Sequence, residues 1–348
     1  MQKIISKRGL SLGLILVLLL SGCANNSNVE KYPFNFAGLT MGTSFTVKAS
    51  QLPAGVKVNR LEKLIQKRLD EINQRLSTYI NNSEISLISR SKNPGPIFIS
   101  GELENVLIQA QEISNLSDGA FDVTVGPLVN LWGFGPDKME NQVPADEAVQ
   151  QALKYVGYKN LVLDDRIRTL SKTLPGVVID LSALAKGYAV DQVAKVLDRQ
   201  GITDYMVEIG GELYLKGTNL QGENWRIAIE KPNAEKRELQ RILAITDIAM
   251  ATSGDYRNFF EQDSQRFSHT IDPRTGYPVT HNLVSVTVLS DTSMQADAWA
   301  TALMVLGPDQ GYSIAEQQNL AVLFIVKTEQ GFVERATPLF SEQTKIEQ

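Results

Sequence analysis

Cysteine and histidine are nearly missing from this chain of 348 residues: there is one Cys, at position 23, and there are two His, at 269 and 281. One thiol cannot close an internal disulfide, and if it is committed elsewhere no sulfur is left for a thiolate nucleophile or a zinc site. Two imidazoles with no spare thiol disfavour zinc and copper, so a bound metal is expected to be a hard cation held by oxygen. Excess positive charge is lacking too. The formal net charge of −5 argues against nucleic acid as a partner. No repeat, low-complexity tract or long Pro-rich linker divides the chain, which points to one large domain or two intimate ones. No apolar run of membrane-spanning length occurs near the start, because the stretch from Gly9 to Leu20 falls short of the roughly 20 residues a spanning helix needs.

That short stretch has a different use. Lys3, Lys7 and Arg8 precede it and no acidic residue appears before Glu30, the arrangement of an export signal. Leu20-Ser21-Gly22-Cys23 resembles a bacterial lipobox, in which the cysteine is acylated and becomes the new N-terminus; the alternative is an ordinary secretory peptide with a chance cysteine. Two or three acyl chains hold a protein firmly, where one does so only marginally. The expected organisation is therefore a lipoprotein signal peptide over 1–22, a lipidated tether over 23–35, a single domain over 36–340 and a tail over 341–348. The expected location is the periplasmic face of the inner membrane, with Cys23 as the anchor.

Along the domain, the alternation in 36–49 reads as a hairpin or bent strand. Leu61, Leu64, Ile65, Leu69, Ile72 and Leu76 recur at helical spacing, giving an amphipathic helix over 61–76. Further helices are expected over 102–116, 144–156, 183–199 with Ser182 as N-cap, and 295–306, closed by Gly307-Pro308. Strands are expected over 161–163, 177–179, 205–209, 212–216, 225–230, 241–246, 283–289 and 321–327. Helices come early and strands in later runs, which favours an α+β fold over a doubly wound sheet.

Four segments carry polar and glycine residues where a plain core element would not. In Asp180-Leu-Ser-Ala-Leu-Ala-Lys186-Gly187, a strand end turns into a helix whose N-terminal N–H groups and dipole suit a phosphate, with Lys186 adding a full charge. The plainer reading is that Asp180 caps the helix and Lys186 is solvated. Asp297 and Thr301 lie four apart on a helix, so a carboxylate and a hydroxyl share one face and could hold Mg²⁺ or Ca²⁺; such pairs are also common on ordinary surfaces. In His269-Thr-Ile-Asp272-Pro273-Arg-Thr-Gly276, Asp-Pro-x-x-Gly is a turn in which Gly takes a positive φ, and His269 stands beside it as a group that titrates near neutral pH. The run from Ser117 to Gly135, with Phe121, Trp132 and Phe134, reads as an irregular aromatic wall.

Taken in order, Thr40-Met41-Gly42-Thr43, Leu76-Ser-Thr-Tyr79, Asp118-Gly-Ala-Phe-Asp122, Asp180 to Gly187, Glu208-Ile-Gly-Gly-Glu212, Ala251-Thr-Ser-Gly254, His269-Thr-Ile-Asp-Pro273 and Ala296-Asp-Ala-Trp-Ala-Thr-Ala302 resemble the ApbE family of FAD:protein FMN transferases. The resemblance spans nearly the whole mature chain. It implies an α+β flavin transferase fold of two packed halves with FAD between them and Mg²⁺ at the pyrophosphate. It implies that Met41, Tyr79, Ala120, Phe121 and Asp122 line the flavin nucleotide, with Asp180, Lys186 and Ile271 also in contact. It assigns the metal to the Ala183 carbonyl and the side chains of Asp297 and Thr301, with Ser182 standing where the family often has glycine. The implied reaction is attack of an acceptor-protein threonine or serine hydroxyl on the flavin-side phosphorus, with AMP leaving and His269 as candidate base. Implied acceptors are subunits of membrane redox complexes of the sodium-pumping NADH:quinone reductase or Rnf type. An Mg²⁺-dependent FAD pyrophosphatase and a non-catalytic flavin-binding lipoprotein are alternatives built on the same residues.

Overall fold

The structure is a computed structural model and describes residues 32–136, 142–231, 239–254, 259–262 and 265–345. The expected signal peptide, Cys23 and most of the expected tether lie outside the described residues. Among the described residues no helix is long and apolar enough to cross a membrane.

Strands β1 (Phe34–Thr40) and β2 (Thr43–Ala49) form the expected hairpin, turning on Met41 and Gly42, both at positive φ, the left-handed pair that a two-residue hairpin turn demands. Helix α1 (Val58–Leu76) buries Leu61, Ile65, Leu69, Ile72 and Leu76 along one stripe, each contributing about 1.5–3 kcal/mol of burial. Next come α2 (Glu84–Arg90), capped by Ser83, β3 (Ile97–Phe98), and α3 (Gly101–Leu116), capped by Ser100. After them lie α4 (Gly126–Leu131), α5 (Asp146–Leu153), β4 (Leu161–Asp164), β5 (Thr169–Lys172) and α6 (Ala185–Arg199). The second half is strand-rich, with β6 (Tyr205–Ile209), β7 (Glu212–Lys216), β8 (Trp225–Glu230), β9 (Leu239–Ile245) and β10 (Ile248–Gly254). It continues through β11 (Phe259–Gln262), β12 (Gln265–Ser268), β13 (Leu283–Ser290), α7 (Ser293–Gln317), β14 (Ala321–Thr328), β15 (Gly331–Ala336) and α8 (Pro338–Gln343).

One antiparallel sheet of eight strands, in the order β1-β2-β6-β7-β10-β13-β14-β15, forms the spine. Its inner strand β13 is buried along residues 283–289, because both faces of the sheet are covered. On one face the main core joins α1, α3, α6 and α7 to Val47, Val207, Ala251 and Val288. On the other, Leu213, Leu215, Met250 and Leu323 pack against Trp225 and Ile229 of β8 and Phe340 of α8. The α+β class is observed, and Tyr32 onward forms one compact unit.

Several expectations change. No strand forms at 177–179, although Val177 and Ile179 are buried: their backbone is spent on local partners, Ile179 N–H donating to Ser89 Oγ and Asp180 N–H to the Val123 carbonyl. Ser182 is not an N-cap. The helix starts at Ala185, and the Ser182 N–H and hydroxyl both donate to Asp180 Oδ1. The expected irregular wall contains α4, started by Pro127, whose missing N–H costs nothing in a first turn. The helix carrying Asp297 does close at Gly307 (φ 78°), beside Pro308, as expected; the addition is a second helical stretch that runs on to Gln317.

Candidate functional site

Helices α6 and α7 cross so closely that a Cβ on Gly187 would sit 2.2 Å from the Ser293 carbonyl oxygen. Only glycine permits that approach, and two hydrogen-bonding sets hold it. The Gly187 N–H donates to Asp297 Oδ2 (3.1 Å), and the Asp191 carboxylate of α6 accepts from the Ser293 and Met294 N–H groups at the start of α7 (2.8 and 3.0 Å). This packing places Lys186, in the first turn of α6, against Asp297 of α7, with Nζ 3.4 Å from both carboxylate oxygens. A second carboxylate comes from the sheet: Glu212, first residue of β7, lies 3.2 Å from the same ammonium. Asp297 is 3% exposed and Glu212 4%. Two buried carboxylates thus share one lysine.

That stoichiometry governs protonation. Burial acts to lower the pKa of Lys186, but the charges of Asp297 and Glu212 outweigh it and hold the ammonium above its ordinary value. Burial raises Glu212 to about 8 against the opposing pull of Lys186, with the Asp297 charge adding to the rise. Asp297 is also raised, again by burial. The three groups therefore form one coupled cluster in which burial raises both carboxylates and Lys186 stays charged between them; among the described residues Glu212 Oε2 has no hydrogen-bond partner.

The cluster lines a cleft of about 430 Å³ together with Tyr79, Ala120, Phe121, Asp122, Asp180, Ala183, His269, Ile271 and Thr301, among others. These residues come from the turn after α1, the Asp118–Gly119 turn, the start of α6, the β12–β13 connection and α7. Thr301, one turn beyond Asp297, has its Oγ1 3.4 Å from Ser253 Oγ of β10. Phe121 is buried, and its N–H donates to Ser117 Oγ. The His269 ring meets Phe134 edge-on at 6.3 Å between centroids. The Asp272 turn forms as expected, with Gly276 at φ +85°, its N–H donating to the Asp272 carbonyl and its own carbonyl accepting from Trp132 Nε1.

Two expected contacts look different in space. Met41 is not among the residues lining the cleft and packs instead at the edge of the main core, in the β1–β2 turn. The Asp122 carboxylate is turned inward: Oδ1 accepts from the Thr124 N–H and hydroxyl, and Oδ2 from the Tyr158 N–H. It braces the loop, leaving other atoms of the residue to face the cleft. Glu212, Thr252 and Ser253 line the cleft without having been singled out as site residues. The signal for Glu212 was Gly210-Gly211, both at positive φ. A Cβ on Gly210 would sit 2.8 Å from Thr43 Cγ2 and 3.3 Å from the Lys186 stem, so the turn before Glu212 packs too closely for a side chain there. Glu208, by contrast, accepts from the Gly211 N–H and holds the turn.

Among the described residues no group of three or more His, Cys, Asp or Glu side chains is arranged to hold a metal. Asp297, Thr301 and Ala183, which line the same cleft, offer one carboxylate, one hydroxyl and one carbonyl. That set suits Mg²⁺, which keeps several waters and takes its other ligands from substrate phosphates.

A sequence model of the ApbE family matches residues 41–324. The chain belongs to the ApbE family. A curated relative, the FAD:protein FMN transferase of Vibrio cholerae, is 45% identical over 324 residues, covering 93% of this chain and 95% of the relative. That of Haemophilus influenzae is 41% identical over the full length of both chains. Among solved structures, the flavin transferase ApbE of Vibrio cholerae superimposes with a TM-score of 0.83 at 44% identity, covering 89% of this chain and 98% of that one. The ApbE protein of Thermotoga maritima gives 0.79 at 27% identity, covering 90% and 99%. The fold is accordingly that of ApbE flavin transferases.

Proposed function

We propose that this chain is an FAD:protein FMN transferase, an enzyme that moves FMN from FAD to a threonine or serine hydroxyl of an acceptor protein with the help of Mg²⁺, releasing AMP. Full-length similarity to relatives of that name supports flavin transfer from FAD to a protein. The observation that carries the finer reading is the Lys186–Asp297 pair in a cleft that also presents Tyr79, Phe121 and Ile271.

Lys186, fixed by two carboxylates, is positioned to neutralise charge growing on the phosphoryl oxygens without reorganising. Tyr79 and Phe121 offer aromatic surfaces to the flavin ring. When bound between Asp297, Thr301 and the Ala183 carbonyl, Mg²⁺ supplies further positive charge to the phosphoryl oxygens and the departing AMP. In balance, the acceptor oxygen forms a bond to the flavin-side phosphorus, the bond from that phosphorus to the bridging oxygen breaks, and AMP leaves with that oxygen. The hydroxyl proton passes to His269, which faces the same cleft.

The export signal and lipobox-like Cys23 support work at a membrane surface on the periplasmic side, where subunits of sodium-pumping NADH:quinone reductase or Rnf type complexes would be the acceptors. Incubation with FAD, Mg²⁺ and such a subunit, followed by mass spectrometry of the subunit, tests the reading. A gain of one FMN is expected. Free FMN and AMP with an unmodified acceptor would identify a pyrophosphatase instead, and intact FAD a flavin carrier.

A further inference from the structure

Lys172, the last residue of β5, is 2% exposed and its ammonium is buried among carbonyl oxygens. Five of them surround Nζ: Ser89 and Ser91 at 2.9 Å, Ile88 at 3.0 Å, Val177 at 3.3 Å and Pro175 at 3.4 Å. No ion pair of Lys172 forms among the described residues, and only burial acts on its pKa, lowering it. An uncompensated buried charge is costly, and here carbonyl dipoles alone offset the loss of water. Such a shell is the one that replaces hydration around a bare monovalent cation.

The five carbonyls come from two places. Ile88, Ser89 and Ser91 belong to the last turn and cap of α2, whose carbonyls point outward at the negative end of the helix. Pro175 and Val177 belong to the segment that leads into the cleft, tied to the same helix end by the Ile179 N–H, which donates to Ser89 Oγ at 3.0 Å. Asp180 follows directly. At its other end α2 holds the turn that carries Tyr79, since Ser83 Oγ and Ser86 Oγ donate to the Ser77 carbonyl at 2.6 and 3.3 Å. Tyr79 and Asp180, which both line the cleft, thus follow segments tied to α2.

We propose that Lys172 is a positioning residue, a tethered monovalent cation that clamps the C-terminal end of α2 to Pro175 and Val177 and so sets the spacing of Tyr79 and Asp180 in the lining of the cleft. The carbonyl cage is then a latent site that accepts free ammonium or potassium once the side chain is removed. The statement about the cleft rests on the proposed FAD reading; the statement about the cage does not.

The test uses the full chain with Lys172→Gly, which empties the cage, and Lys172→Met, which keeps the stem but not the charge. Melting temperature, deuterium exchange of 173–183 and FAD affinity are measured in chloride salts of ammonium, potassium and choline at equal ionic strength. In choline, Lys172→Gly should melt lower than wild type, exchange faster over 173–183 and bind FAD about tenfold more weakly, a usual reach for a positioning contact. Ammonium or potassium should reverse at least half of each loss in a saturable way, with no such response in Lys172→Met or wild type. The proposal is overturned if Lys172→Gly responds no more than Lys172→Met, if its FAD affinity is unchanged in choline, or if it folds in none of these salts. A wild-type protein that does not bind FAD would instead overturn the proposed function, leaving the melting and exchange arms to decide the cage.

Discussion

Replacing Lys186 by Met and, separately, Asp297 by Asn should both abolish turnover yet differ sharply in stability. Lys186→Met removes the one cation that Asp297 and Glu212 share. Burial raises Glu212, so it can take up a proton when the cation goes. Asp297 is left buried with the Gly187 N–H as its remaining hydrogen-bond donor among the described residues, and a charge stranded there costs about 3–5 kcal/mol. Asp297→Asn is milder, because Glu212 can ionise and take over as counterion to the same ammonium. What is lost is one hydrogen bond to a charged group, about 1.5–3 kcal/mol, part of which the Asn carbonyl retains. At about 2 °C per kcal/mol for a domain of this size, Lys186→Met should melt roughly 6–10 °C below wild type and Asp297→Asn no more than about half as far. The deficit of Lys186→Met should also shrink as pH falls towards 5. A stranded carboxylate has its folded pKa above its unfolded one, so the folded state binds more protons and gains stability on acidification. Calorimetric scans from pH 5 to 8.5 measure both effects. Equal destabilisation by the two substitutions, or a Lys186→Met deficit independent of pH, would refute the shared-lysine account.

Glu212 has a folded pKa near 8 against an unfolded value in the ordinary carboxylate range, so wild-type stability should fall as pH rises between about 5 and 8, and Glu212→Gln should flatten that slope; denaturant titrations at both pH values check it. Gly187→Ala puts a methyl against the Ser293 carbonyl and should cost about 1–3 kcal/mol of overpacking while lowering turnover by moving Lys186 away from Asp297; unchanged activity in a stable variant would contradict the close crossing. His269→Ala should slow FMN transfer by about 10²- to 10⁴-fold with FAD affinity retained, measured by stopped-flow and by flavin fluorescence; transfer at the wild-type rate would remove His269 as the base.

What could be read from the chain alone follows a physical pattern. Helices α1 and α3 were legible because each buries one periodic face, and β13 because its continuous apolar run is buried on both faces. Helix α2 and strand β5 were not, since each is short and is held by tertiary bonds such as those of Ser83 and Lys172. Strand β10, with its Ala-Met-Ala-Thr-Ser-Gly run, has little hydrophobic signature and exists because β7 and β13 flank it. The residues of 177–179 show the reverse: strand-like composition and burial with no neighbouring strand to pair with. At the site, residue type and order identified Lys186, Asp297, Thr301 and His269 as a group that shares one cleft. Glu212 escaped because nothing in a lone glutamate after two glycines says that its carboxylate will meet Lys186, a contact between two different elements of the fold.

The order of strands in the central sheet has a consequence for how the protein comes into being. Strand β2 pairs with β6, and β10 joins β7 to β13, so neighbours in the sheet are often distant in the chain. Lys186 and Asp297, which touch, are 111 positions apart. Closing such loops before any contact rewards them makes folding slow and late. A portion of the chain ending before α7 lacks Asp297 and Thr301, so the Lys186–Asp297 pair can close only once α7 has been made, although most of the other residues that line the cleft already exist by then.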